Sequence, residues 1–554
     1  MPAWTRALNR RIRGAPRIVW HTEYRLPLTS IAARTGLDPR RAELVVDALV
    51  ELGVITDADL LSPESVTWAD LSRVHTSEWV EALTQPETLA SVFAVDAWDI
   101  PSDALLDSLR RICGGTLLAA RRALGEPGPV LNLSGGFHHA APGSGGGFCA
   151  VNDIAVAVAA LRESGFAGSI AVLDVDAHPP DGLASCLGTT AWIGSISGTM
   201  WDAPGHVDEV HVPACVGDGV YLAALDQLLQ RMPRATITFV VAGGDVRAGD
   251  PLGGLGLTEA GVRQRDQVVL DALAGAPSVW LPGGGYRSDA WRVLAGTALV
   301  LAGHRRLELR ADFDPMRARF RRVGRRLSDA FGGIELDAED VDGLLGPRRD
   351  ETPRFLDRYT RAAVELALER YGLAEPVRRL GYRDLRVEID RAELGDRFRL
   401  YGTAAGVEHL LAESVLARGG VGETPVLFVH WLTLRHPLGA FRSAGGPFPG
   451  QEVPGLGLAR EAGELHRRIA ERLGLAGVAM RPAWLHVAYA VRHRMRFVDP
   501  QEQHRFEAVL AQNTGIPLSK LSALAHAGEA LLDGKPWQWP AALMVEWLTL
   551  PPTA

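Results

Sequence analysis

Residues 174–182 read DVDAHPPDG. Asp174, Asp176 and His178 come at strict alternation, and Asp181 follows two prolines. Two carboxylates and an imidazole converging on one point are costly to bury unless a cation compensates them. A divalent metal on such ligands polarises a carbonyl and activates water, which is hydrolytic chemistry. Taken alone, the triplet fits a strand end with solvated acids equally well. Three other segments carry residues suited to the same chemistry. GGFHHAAPGSGGGFCAVND (135–153) brings His138 and His139, AGGDVRAGDPLGGLGLT (242–258) brings Asp245, and LPGGGYRSDAW (281–291) brings Tyr286 behind three glycines. Glycine lets backbone approach a site closely. A neutral imidazole can take a proton from water and return one to a leaving amine, and a phenol can donate to a developing oxyanion.

These residues need a scaffold that brings them together. The segments RIVWH (17–21), VLNLSG (130–135), SIAVLDVDAH (169–178), TITFVVAGG (236–244) and SVWLPGGG (278–285) are strand-like. Helical stretches such as 108–124 and 151–165 lie between them. Near-continuous apolar strands alternating with helices predict a parallel sheet covered on both faces, which binds ligands at the carboxyl ends of its strands. Asp176, His178, Asp245 and Tyr286 all fall at or just past such ends. Alternation along 169–178 predicts that Asp174, Asp176 and His178 share one strand face.

A chain of 554 residues exceeds one ordinary core, and 47% hydrophobic with 22% charged residues fits a globular protein. The reading is a catalytic domain over 17–302, a charged helical connector over 303–350 and a second, smaller α/β domain over 351–554. In that last part an amphipathic helix over 354–373, strands at 385–389 and 426–434, and a Gly/Pro-rich loop leading into further helices are expected. A formal net charge of −8 gives no sign of nucleic-acid binding. Four dispersed cysteines without C-x-x-C predict a reducing, cytoplasmic setting. No apolar run is long enough to span a membrane, and the N-terminal stretch lacks the core of a secretory signal. Ala, Gly and Arg usage suits a GC-rich bacterial genome.

Together, in this order, the four segments resemble the zinc-dependent histone deacetylase family, with its acetoin-utilisation and acetylpolyamine hydrolase relatives. RVHTSEWVEAL (73–83), WDIPSDALLDSLRRICGGTLLAA (98–120) and VPACVGDGVYLAAL (212–225) resemble family segments as well. The resemblance implies an arginase/deacetylase-type three-layer α/β fold with a central, mainly parallel sheet. It implies Zn2+ on Asp176, His178 and Asp245, and a structural monovalent cation near Asp174. It implies that Asp174 orients His138, that Asp181 orients His139, and that Tyr286 is the oxyanion donor. Asp99 would grip substrate backbone at the rim, and Phe148 would wall the acyl tunnel. The implied activity is metal-dependent amide hydrolysis, a deacetylase acting on an acyl-lysine or a small acylated amine. The alternatives are a catalytically weak scaffold that binds an acylated partner, and an acetylpolyamine hydrolase.

The chain departs from the family where H-H-G-D-G becomes His178-Pro179-Pro180-Asp181-Gly182. Proline removes an N–H and fixes φ, so the turn must be built differently while still aiming Asp181 at His139. GSISGTMWDAPGH (194–206) replaces the usual tunnel loop, with Trp201 as the available aromatic and Ser195 or Ser197 as the cation-site serine. The two-manganese arginase branch needs a second carboxylate beside Asp245, and Gly243-Gly244-Asp245 has one. Leu252, two after Asp250, suits an apolar acyl-lysine stem better than a polyamine. In the second domain PGQEVPGLGLA resembles the coenzyme A arm of GNAT acetyltransferases, with Gly455 and Gly457 as its paired glycines. Coenzyme A is implied only if that unit is a functional GNAT domain.

Overall fold

The computed structural model describes residues 17–28, 31, 35–97, 100–330, 354–439, 441 and 447–549. The chain divides into two compact units, Met1–Ala318 and Arg319–Ala554.

The first unit is built on an eight-stranded sheet. Its strands are β1 (Ile18–Val19), β2 (Leu60–Leu61), β3 (Pro129–Asn132), β4 (Ile170–Asp174), β5 (Trp192–Ser197), β6 (Val207–His211), β7 (Ile237–Val241) and β8 (Ser278–Leu281). Their order is β2-β1-β3-β8-β7-β4-β5-β6, and all the pairings are parallel. β4, β7 and β8 are buried at every residue, which is why their sequences read as near-continuous apolar runs. Helices cover the sheet: α1 (Arg41–Glu51), α2 (Ser102–Gly125), α3 (Asp153–Glu163), α4 (Asp181–Leu187), α5 (Glu259–Leu273) and α6 (Ala290–Leu301). Apolar side chains of α2, α3 and α4 pack on Val130, Val172, Phe239 and Val279 to form the main core.

The chain leaves β4 toward β5 in one direction and leaves β7 toward β8 in the other, although β4 and β7 are neighbours. This is a topological switch point, where the loops after two adjacent strands part and open a crevice. Asp176 and His178 follow β4, and Asp245 follows β7.

The second unit begins within α7 (Pro315–Ala330). Residues 331–350 of the expected connector lie outside the described residues. α8 (Arg361–Arg370) starts later than the expected 354, because Thr360 caps it through the Ala363 N–H and Phe355–Tyr359 form a turn before it. α9 (Ala374–Arg379) leads into β9 (Arg383–Ala392), β10 (Gly395–Ala404), β11 (Val407–Val421) and β12 (Thr424–Leu434). α10 (Ala459–Arg472), β13 (Gly477–Met480), α11 (Leu485–Val491), β14 (Arg496–Phe497) and the small β15 (Ala530–Leu532) and β16 (Lys535–Trp537) hairpin follow, ending at β17 (Met544–Trp547). The seven-stranded sheet runs β14-β17-β13-β12-β11-β10-β9. Its one parallel pairing is β12 with β13. No helix among the described residues is long and apolar enough to cross a membrane.

Candidate active site

β4 stops at Asp174, short of Asp176 and His178, so the expected strand over 169–178 is too long. The cause is local. Asp174 Oδ1 accepts the Asp176 N–H (3.1 Å), and Asp176 Oδ1 accepts the His178 N–H (3.1 Å). Each carboxylate bends its own backbone two residues on, which competes with the sheet ladder. The ligand atoms of Asp176, His178 and Asp245 nevertheless lie within 4.8 Å of one another. Asp176 and Asp245 are completely buried. His178 Nδ1 faces Asp176 Oδ1 at 3.1 Å and Asp245 Oδ2 at 2.9 Å. Its Nε2 meets the Leu252 carbonyl at 3.2 Å. With Nε2 donating there, Nδ1 is the atom left to offer a lone pair to a cation.

The donor set fits a divalent metal. The buried Asp245 Oδ2 points into this cluster, 2.9 Å from His178 Nδ1. Burial and the neighbouring Asp176 charge push the Asp245 carboxyl up to about 7. Burial opposes charge on His178, yet the two carboxylates push it up to about 11. Two carboxylates and an imidazole converging at a switch point are the donor set a divalent cation takes in place of these protons. Glycine makes this packing possible. A Cβ on Gly284 would stand 2.3 Å from Asp245 Oδ2, and one on Gly243 would stand 2.2 Å from Asp176 Oδ2.

Two histidines flank the ligands in different states. His138 Nδ1 bonds Asp174 Oδ2 at 2.8 Å. Burial disfavours its charge, but Asp174 and Asp176 outweigh that and raise it to about 9. His139 Nδ1 bonds Asp181 Oδ1 at 2.6 Å. Burial, and then the charge on His138, lower the His139 pKa, so its imidazole is neutral at pH 7. The Pro179-Pro180 turn delivers Asp181 to this bond. Pro180 precedes the first residue of α4, where a missing N–H costs nothing, and its carbonyl accepts the Ala184 N–H at 2.8 Å. Gly182 is obligatory, since a Cβ there would meet the His139 carbonyl at 2.3 Å.

Tyr286 follows β8, and its ring lies 5.2 Å from that of Phe148. Phe148 sits at φ 66°, uncommon for a bulky residue, and a bond from its N–H to the Val92 carbonyl helps hold it there. Both rings line a cavity of about 70 Å3 with His138 and Arg41. Leu252 is 47% exposed.

Several supporting residues escape sequence reasoning. Asp250, 8% exposed, accepts the N–H groups of Leu252 (3.0 Å) and Gly253 (3.2 Å) on Oδ1 and that of Tyr286 (2.7 Å) on Oδ2. It thus ties the loop that orients His178 to the backbone of Tyr286. Arg41 donates to the carbonyls of Gly284 (3.0 Å) and Gly283 (2.9 Å). The fully buried Arg265, paired with Asp266, donates to those of Val175 (3.0 Å) and Gly243 (2.6 Å) behind the ligand loops. Tyr286 for Asp250, Gly283 and Gly284 for Arg41, and Val175 for Arg265 lie far away in sequence, and the GDP tripeptide is the local signal.

The remaining candidates divide. Ser197 Oγ is occupied by the Thr199 carbonyl and Glu209, whereas Ser195, paired with Asp174 across β4 and β5, has a buried Oγ without a partner. Trp201 does not supply a tunnel wall, because it packs on the main core. Asp99 lies outside the described residues. Gly455 and Gly457 belong to the second unit, just before α10, where Glu452 pairs with Arg435 at 2.8 Å.

Comparison with known proteins adds the family. Residues 36–300 match the histone deacetylase domain model. An uncharacterized protein of Picosynechococcus sp. is 31% identical over 291 residues, which cover 49% of this chain and 92% of that one. Histone deacetylase 2 of Arabidopsis thaliana is 28% identical over 298 residues, 50% of this chain and 76% of that one. A solved histone deacetylase homologue complexed with SAHA aligns at a TM-score of 0.45 and 21% identity, covering 52% of this chain and 84% of that one. Through the domain at 36–300, carried by the same loops that bring Asp176, His178 and Asp245 together, the chain belongs to the histone deacetylase family.

Proposed function

We propose that the first unit is a zinc-dependent amidohydrolase that removes an acetyl or related acyl group from an acyl-lysine or a small acylated amine. The observation that carries this reading is the buried Asp176–His178–Asp245 set beside a neutral His139 held by Asp181. Zinc, if held by Asp176, His178 and Asp245, would supply a Lewis acid and lower the pKa of water. His139 takes the proton from the attacking water, and its bond to Asp181 fixes the proton on Nδ1 and leaves Nε2 as the base. His138, charged beside Asp174, adds positive potential near the reacting carbonyl. Tyr286 donates its phenol proton in a hydrogen bond to the developing oxyanion. Burial keeps that phenol protonated across the physiological range. The amine leaves with a proton returned by an imidazole. Asp174 and Ser195 would hold a structural monovalent cation, a reading supported by their pairing across β4 and β5 and the unpartnered Ser195 Oγ.

The test is a pair of variants. Asp245→Ala loses bound zinc and activity together. Tyr286→Phe keeps zinc and loses about 100-fold in kcat. Unchanged turnover in Tyr286→Phe contradicts the assigned chemistry. Chelation abolishes hydrolysis and added Zn2+ restores it. Full zinc occupancy with no hydrolysis of any acyl-lysine or acetylpolyamine favours the scaffold alternative.

For the second unit we propose a GNAT-like fold. The parallel β12–β13 pairing supports it, because register is lost after Val429 and Met480 while β12 runs on to Leu434. A bulge that skips His430 supports it too. Glu452, three residues before Gly455 and paired with Arg435, does not favour a coenzyme A diphosphate at these glycines.

A further inference from the structure

The second unit contains a cavity that the hydrolytic chemistry does not use. It lies between the inner face of β10–β12 and helices α8, α9 and α10, with a volume of about 110 Å3. Leu368, Tyr371, Phe398, Leu400, Leu434 and Leu458 form much of its wall. Besides tyrosine and charged side chains, Ser414 and His466 interrupt that wall. Ser414, 3% exposed, stands on β11, and His466, 7% exposed, stands on α10. Ser414 Oγ and His466 Nε2 share one long hydrogen bond of 3.3 Å. A hydroxyl can donate once and accept twice, so this pair retains hydrogen-bonding capacity facing the cavity. Burying two such groups in an apolar wall costs free energy that aliphatic side chains would not.

We propose that this cavity is a binding site for a small, neutral, largely apolar molecule with a single hydrogen-bonding group, such as a phenol or a short-chain alcohol. An apolar pocket with a few convergent polar groups is the usual form of a small-molecule site. The volume lies somewhat below that of an apolar cavity of about 150 Å3 that accepts benzene, which limits the body to about six carbons at most. Neutrality follows from the charges around the pocket. His466 carries none at pH 7, because burial pushes it down to about 4. The charged residues in the lining have partners already, Glu413 with Arg397, Arg468 with Glu471 and Arg472 with the Gly324 carbonyl, so a charged ligand of either sign would have to compete with them. The site is independent of the deacetylase reading, because every residue lining it belongs to the second unit.

The experiment is calorimetric titration of the full chain with phenol, 1-hexanol and benzene. Saturable binding at about millimolar concentration is expected, with benzene about two- to ten-fold weaker for want of the hydrogen bond. Ser414→Ala should shrink the gap between phenol and benzene. Ala412→Leu, from the sheet wall, should fill the cavity, abolish binding and leave the melting temperature unchanged or higher. Should Ala412→Leu fail to fold, Ala462→Leu fills the same space from α10 and gives the same readout. Absence of saturable binding to the wild type overturns the proposal. So does binding that survives a filling variant, or loss of folding in both, which would mean that the space does not exist.

Discussion

Asp250→Asn is the most informative single change at the candidate site. The carboxylate accepts three N–H groups, two from Leu252 and Gly253 and one from Tyr286. Asparagine is nearly the same size but offers one acceptor and one donor. With its oxygen toward Leu252 and Gly253, its NH2 faces the Tyr286 N–H. That loses one charge-assisted bond and leaves a donor unpaired, together about 2–4 kcal/mol. Part of this is relieved by displacing Tyr286, whose complete loss as an oxyanion donor is worth about 3 kcal/mol in the barrier. The expected fall in kcat is therefore about 10–100-fold with KM little changed. With the amide turned the other way, the Leu252–Gly253 loop is released, the Leu252 carbonyl drifts from His178 Nε2, and zinc affinity falls by about ten-fold. Kinetics on an acetyl-lysine peptide and a zinc-competition titration, both on protein shown to be folded, separate the two. Folded Asp250→Asn protein with kcat, KM and zinc affinity all within about two-fold of wild type would refute Asp250 as the tie between Tyr286 and His178.

Pro179→His with Pro180→Gly should leave zinc content unchanged and alter the rate only modestly, whereas Asp181→Ala should lower kcat by about 100-fold, since His139 then loses its 2.6 Å partner; activity that appears only in the double variant would mark the turn as a lesion. Leu252→Glu, at an exposed rim position, should raise the acetylspermidine to acetyl-lysine activity ratio by about two- to five-fold; a wild type that already prefers the polyamine would contradict it. In the second unit, burial pushes His436, His466 and His486 each down to about 4. These values lie below the unfolded value of about 6.5, so the unfolded chain takes up protons first, and their stabilisation is present above about pH 6.5 and lost as pH falls toward 4. Melting of that unit, followed by tryptophan fluorescence, should move to lower temperature between about pH 7 and pH 5, and His466→Leu should flatten the dependence.

The buried parallel strands were legible because each is mostly apolar, and the ligands because they follow strand ends in a fixed order. What was hidden depends on contacts across the chain. The D-x-D-x-H alternation suggested a strand face, but the carboxylates of Asp174 and Asp176 turn their own backbone and end β4 early. Convergence therefore arises from loop geometry and from Gly243 and Gly284, which admit the two acids. Arg41 and Arg265 brace those loops through carbonyls from other parts of the chain, and a carbonyl bears no side-chain signature. The choice between Ser195 and Ser197 needed the position of Glu209. In the second unit, β10 and β11 have many polar residues, so their strands were not named. The start of α8 was overrun because Phe355 and Tyr359 continue an apolar periodicity that a turn interrupts.

The central claim is that one divalent metal on Asp176, His178 and Asp245 serves an amide-hydrolysing site. Titration of metal-stripped protein with Zn2+, with hydrolysis of an acetyl-lysine peptide followed at each addition, tests it most directly. The account predicts activity that rises linearly and saturates at about one equivalent, and no activity at any zinc level in Asp245→Ala. Activity already full in the stripped protein, or saturating only at about two equivalents, would contradict it.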